Sequence, residues 1–205
     1  MLALLPVLIA CITGLLRFRR LPRNLRTLTV LLLFVLPLNV WAVGLMIQEH
    51  NNLFLMPFYT AGEFGLLAIV YRYTLQQSWL TKWLPWLVAG FATYVLVDSL
   101  LTSELTRFRP GQQVVQGVLI LGFVWLYFRK LLNELLVHRL WQEPMFWVSV
   151  GLLIYYLGYL QIALFSNYLL RYSSRSGQYI WTIHSLLFIF LYSCYCRALW
   201  LSPPK

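Results

Sequence analysis

The chain of 205 residues is 60% hydrophobic and only 11% charged, with a mean hydropathy of +0.71, whereas an ordinary soluble domain is about 45–50% apolar and about 25% charged. That balance excludes a water-soluble globular fold, because a chain of this size lacks the polar surface to cover so much Leu, Trp, Phe and Tyr. Sixteen Lys and Arg oppose six Asp and Glu, a net charge of +10, which in a membrane protein points to anionic lipid headgroups and not to nucleic acid.

A spanning helix needs roughly 20 mostly apolar residues, and seven segments approach or meet that length. In chain order they run from Leu2 to Leu16, Thr27 to Ile47, Leu53 to Leu75, Trp83 to Leu101, Gln112 to Phe128, Met145 to Phe165 and Gln178 to Trp200. The first resembles a signal peptide in length, but its arginines follow the apolar stretch instead of preceding it, so it reads as a retained helix. The expected fold is an all-α, polytopic seven-transmembrane-helix bundle forming one transmembrane domain over residues 1–205, with no soluble domain between spans. Any kinase, nucleotide-binding or DNA-binding activity would belong to another protein.

Orientation follows from the basic residues of the short loops. Arg17, Arg19, Arg20, Arg23 and Arg26 fill the first loop, Arg72 and Lys82 the third, Arg129, Lys130 and Arg139 the fifth, and Arg197 and Lys205 the end. Twelve of the sixteen basic residues therefore share one side, against Arg107, Arg109, Arg171 and Arg175 on the other. The N-terminus is expected outside and the C-terminus in the cytoplasm, in a bacterial inner membrane. Trp79, Trp83, Trp86, Trp141, Trp147 and Trp200 fall near the inner boundary, where amphipathic rings favour the headgroup level. The arginines of the first loop are expected to meet anionic lipid headgroups. The amphipathic stretch from Arg129 to Glu143 reads as a solvated helix end or a ridge for a cytoplasmic signalling partner.

An intramembrane charge costs about 2.5–3.5 kcal/mol on insertion scales, so each polar residue within a span asks for a partner. Glu63 lies near the midplane and Asp98 about one turn below the outer surface. Gln112, Gln113 and Gln116 open the fifth span, Gln161 ends the sixth on the outer side, His184 lies in the outer part of the seventh, and Asn39 follows Pro37 in the second. The inner half is Leu, Val, Trp, Phe and Tyr. This asymmetry reads as an outward-facing polar pocket closed below by an apolar plug, or as interhelical hydrogen bonds acting only as glue. Trp181, His184, Ser185, Phe188, Tyr192 and Tyr195 recur at helical spacing on the seventh span, Tyr59 and Glu63 are one turn apart on the third, and Tyr155 lies between Gly151 and Gly158 on the sixth. Gly62 and Gly65 are expected to allow close helix approach. Cys11, Cys194 and Cys196 sit in apolar segments and suggest packing, not disulfides.

Several chemistries fit poorly. A retinal Schiff base needs a lysine within a span, and Lys82, Lys130 and Lys205 all lie at the inner boundary or beyond it. A zinc-dependent intramembrane hydrolase would want three histidines with an Asp and a Ser; His138 is on the wrong side and no HExxH or HxxxH spacing exists, leaving His50, Glu49, Asp98 and above all Glu63 and His184 as outer metal candidates. No GxSxG elbow supports a Ser/His dyad, and His50 lies in a loop, which disfavours bis-histidine haem. Glu63 and Asp98 could form an acid/base pair if their helices adjoin. No cofactor is expected.

The stretches Tyr59 to Phe64 (YTAGEF), Pro144 to Gly158 (PMFWVSVGLLIYYLG) and Ile183 to Tyr192 (IHSLLFIFLY) resemble a group of small, functionally uncharacterised seven-helix bacterial integral membrane proteins. The resemblance covers about a quarter of the chain. It implies no activity or cofactor, only that Glu63 and His184 belong to recognisable motifs.

The expectation is a receptor-like or sensor protein that binds a small or lipidic ligand from outside. Glu63, His184 and Asp98 would be polar anchors, Tyr59, Tyr155 and Trp181 walls, and Asn39, Gln116, Gln161 and Ser185 further pocket residues. An enzyme acting on a lipid or small molecule at the outer leaflet is the alternative, and a small proton-coupled transporter the third.

Overall fold

A chain with long apolar stretches and no water around it must satisfy its backbone internally, and in a non-barrel sequence it does so by forming helices. The structure, a computed structural model, describes residues 4–101, 110–134, 140–172 and 174–201, with side chains of these except 110, 134, 164–172 and 174–181. The described residues hold seven α-helices: α1 (Leu4–Arg17), α2 (Arg23–Ile47), α3 (Met56–Leu75), α4 (Ser78–Leu101), α5 (Pro110–Glu134), α6 (Pro144–Tyr172) and α7 (Ser174–Leu201). Single 3₁₀ turns precede α2, α3 and α6. Six of the helices are long and apolar enough to cross a membrane. The helix α1 is the exception, because 14 residues rise only about 21 Å at 1.5 Å per residue.

The helix boundaries follow from local chemistry. Pro57 and Pro144 stand at or near the first positions of α3 and α6, where the missing N–H is no loss. Gln76 ends α3 in the left-handed conformation at φ 52°, its backbone N–H donating to the carbonyl of Arg72 at 3.1 Å, an arrangement that closes an α-helix without a glycine. Pro37 and Pro85 lie within α2 and α4, each removing one rung of backbone hydrogen bonding.

Neighbouring helices make a ring in the order α1, α2, α3, α5, α6, α7 and back to α1, while α4 packs outside it against α3. Contacts between helix ends show the alternation of direction. Arg17 at the end of α1 meets the end of α7, Lys130 near the end of α5 meets the end of α3, and Asn24 at the start of α2 meets Thr74 near the end of α3. These contacts define a basic end of the bundle, where Trp79, Trp83, Trp86, Trp141 and Trp200 are exposed. At the opposite end, Gln112 at the start of α5 meets Asp98 near the end of α4.

The outside of the bundle is apolar, with Leu16, Leu100, Leu101, Phe58 and Leu186 among its most exposed side chains. Burial of apolar groups against other apolar groups gives little drive to association in lipid, so the helices are held by close packing and polar contacts. Small residues permit the closest approaches. A Cβ on Gly151 would stand 2.9 Å from the Cβ of Cys194, and one on Gly62 would run into the Phe34 ring, so α6 meets α7, and α3 meets α2, at backbone range. Gly65 differs from the expectation for it: a Cβ there would find Val88 at an ordinary 3.7 Å, leaving room for a side chain.

Candidate functional site

Among the described residues, Glu63 is the one carboxylate that the ring closes over. It lies in the second turn of α3 and is 4% exposed, with neighbours from three other helices of the ring. From α5, the amide of Gln116 donates to Glu63 Oε2 at 2.8 Å. From α6, the Tyr156 hydroxyl donates to the same oxygen at 3.2 Å. Tyr59, one turn before Glu63, has its hydroxyl 3.5 Å from that of Tyr192 on α7. Tyr59, Tyr155, Tyr156, Tyr192 and Tyr195 all lie within electrostatic reach of the Glu63 carboxylate.

Both donors converge on Oε2, and no hydrogen bond to Oε1 occurs among the described residues. The buried hydroxyl of Tyr195 and the Thr60 Oγ1 likewise have no hydrogen-bond partner there. Buried polar groups are normally paired, so two unspent hydroxyls, one on α3 and one on α7, beside a carboxylate oxygen that accepts no bond from the described residues make an incomplete network.

A second polar cluster adjoins the first. Tyr155 on α6 has its hydroxyl 3.3 Å from Nε2 of His184 on α7, and the His184 ring packs edge-on to Tyr155 and Tyr159 at centroid distances of 5.9 and 5.7 Å. The buried Tyr159 hydroxyl has no hydrogen-bond partner among the described residues. Tyr155 and Tyr156 touch at 5.1 Å, which joins the histidine cluster to the Glu63 cluster through adjacent positions of α6.

Asp98 is held apart from Glu63. Its Oδ2 accepts from Gln112 at 2.6 Å, and the same amide reaches Ser99 Oγ at 3.2 Å. Gln112 and Gln116 are one turn apart on α5, so one helix face caps both carboxylates, Asp98 of α4 and Glu63 of α3. The helices of the two acids do adjoin, but each acid is engaged by its own glutamine.

Other candidate residues fall elsewhere. Asn39 donates to the carbonyl of Val35 one turn back on its own helix at 3.0 Å, the local bond that short amides favour. Gln161 and Ser185 are exposed. Trp181 lies outside the described side chains, as do those of Arg107, Arg109, Arg171 and Arg175. Of the first-loop arginines assigned to lipid headgroups, Arg17 donates to the carbonyls of Leu199, at 3.0 Å, and Trp200. Arg26 donates to Leu21 O at 2.7 Å and Arg19 O at 2.9 Å. Arg19, Arg20 and Arg23 are exposed. No group of three His, Cys, Asp or Glu side chains close enough to hold a metal ion occurs among the described residues.

Two participants escape a reading of the sequence. Tyr156 is one of five tyrosines from 155 to 172, and nothing in its spacing separates the hydrogen-bonding one from its neighbours. Ser149 binds the Tyr71 hydroxyl at 2.9 Å deep in the core; a small hydroxyl in an apolar run gives no signal of a cross-helix partner.

Comparison with protein-family models, with curated proteins and with solved structures finds no match for this chain.

Proposed function

We propose that the protein is a receptor-like or sensor protein of the seven-helix class, which binds a small or lipidic ligand between its helices at Glu63 and signals through a partner at its basic end. The single observation that carries this reading is the incomplete network at Glu63. Oε2 is saturated by Gln116 and Tyr156 while Oε1 is open, and the unspent Tyr195 hydroxyl lies within reach of the same charge. A ligand that completes such a site presents a hydrogen-bond donor to the carboxylate, best a positively charged one. Tyrosine faces around an ammonium add cation–π attraction of about 0.5–2 kcal/mol.

The concentration of basic residues and exposed tryptophans at one end supports an orientation with that end in the cytoplasm and the N-terminus outside. Asp98, Gln112 and Glu63 then lie in the outer half, and the ligand enters from outside.

The test is thermal unfolding of the purified protein in detergent micelles with a series of alkylamines of increasing chain length. Ligand at 100 times its dissociation constant adds about 2.7 kcal/mol of stability, so a saturable rise in melting temperature is expected, lost in Glu63→Gln. No amine-dependent shift, or a shift of equal size in Glu63→Gln, overturns the site. Accumulation of amine inside proteoliposomes would instead favour transport, and chemical conversion of an added lipid would favour the enzyme.

A further inference from the structure

A groove of about 450 Å³ runs between α1 and α7 on the outside of the ring, walled by Leu5, Pro6 and Ile9 on one helix and by Cys196, Arg197 and Trp200 on the other. Its volume lies within the range of about 300–1,000 Å³ common to small-ligand sites. The walls are apolar along most of the length, but the end nearest the basic end of the bundle is cationic. There two guanidinium groups rest on indole rings, Arg17 over Trp200 at 5.5 Å and Arg197 over Trp147 at 5.9 Å.

The two arginines are not equivalent. Arg17 spends its donors on the terminal carbonyls of α7. Arg197 makes no hydrogen bond to any described residue and has no carboxylate partner among them; its ring contact fixes its position and leaves its planar fork of donors free. An arginine fork matches the paired oxygens of a phosphate. Because Arg197 lies about one turn before the end of α7, it reaches the headgroup level of a bilayer by snorkelling, while the apolar walls continue into the depth of the acyl chains.

We propose that this groove is a binding site for one anionic phospholipid, with an acyl chain along Leu5, Pro6 and Ile9 and the headgroup phosphate on the Arg197 fork. The occupant is set by charge complementarity. A zwitterionic lipid brings its own ammonium beside the same phosphate and gains less from a pair of unneutralised guanidinium groups. The site is independent of Glu63, which lies inside the ring and not on its outer seam.

The test is native mass spectrometry of the intact protein released from detergent micelles containing phosphatidylglycerol or phosphatidylcholine at equal concentration. A single-lipid adduct is expected with phosphatidylglycerol, at least fivefold more abundant than with phosphatidylcholine. Arg197→Gln should reduce that preference to about one, and Ile9→Trp, which fills the groove but keeps the charge, should remove the adduct. Both positions are exposed, so melting temperatures within a degree or two of the parent serve as the folding control; should Arg197→Gln fail it, Arg197→Ala, which also removes the charge, replaces it with the same expectation of a lost preference. Equal retention of the two lipids, or an adduct that survives either substitution unchanged, overturns the assignment.

Discussion

The basic end of the bundle and the layer around Glu63 are both rich in polar contacts, yet the contacts differ in kind. At the basic end, cations bind backbone: Arg17 reaches the carbonyls of Leu199 and Trp200, Lys130 those of Thr74 and Leu75, and Arg26 those of Leu21 and Arg19. The carbonyls of α3 and α7 among these are terminal ones that a helix cannot satisfy internally, at the negative pole of its dipole, while Leu21 and Arg19 lie in the turn between α1 and α2. Around Glu63, side chains bind side chains across helices, and some valences stay open. The first pattern finishes the architecture, whereas the second goes beyond what holding helices together requires.

Substitutions can break or sharpen that division. The largest expected effect is Glu63→Leu, which leaves the Gln116 amide and the Tyr156 hydroxyl buried without an acceptor. Each orphaned donor costs about 1–3 kcal/mol, so a loss of about 2–6 kcal/mol is expected in reversible unfolding in mixed micelles. Arg17→Ala frees two carbonyls at a partly exposed site and should cost about 1.5 kcal/mol by the same measurement, in line with a charge-assisted hydrogen bond. It should leave amine binding at Glu63 unchanged. If Arg17→Ala abolishes amine binding, the two regions are one functional unit and the division fails.

Tyr155→Phe removes only the bond to His184 at the edge of the network and should cost about 0.6 kcal/mol, the average for an interhelical hydrogen bond in lipid. The smallest effect concerns Glu143, in the turn before α6 at the basic end, where partial burial pushes the carboxyl above its ordinary range. A carboxyl whose folded value is raised contributes stability that is fully present below its unfolded value, near 4.3, and lost as pH rises through the folded value. Glu143→Gln is therefore expected to raise the melting temperature slightly at pH 7 and to make no difference at pH 3.5. A gain that persists at pH 3.5 would show that shape, not charge, is responsible.

Much of the helical framework can be read from the chain because lipid leaves so few solutions. Runs such as Leu53 to Leu75 have no other way to satisfy their backbone. The ends were harder to place: α6 and α7 extend to Tyr172 and from Ser174, through polar residues whose helicity no hydropathy pattern signals. The arginines after α1 are legible because Arg17 ends its apolar run. In the site, Glu63 was visible because a carboxylate in mid-helix is expensive, and Tyr59 because it lies one turn away. Its actual donors, Gln116 and Tyr156, come from α5 and α6, and the register between helices far apart in sequence is set by packing that no local pattern encodes. The same limit hid the pairing of Asp98 with Gln112 and of Arg17 with the last turn of α7.

That last pairing joins residues 182 apart. During synthesis α1 is made first, yet one of its two flanks has no neighbour until α7 follows. A helix of 14 residues must wait through the insertion of five others before its terminal guanidinium finds the carbonyls it caps. The ring therefore cannot close before α7 is present, and a chain truncated within α7 would leave α1 packed on α2 alone.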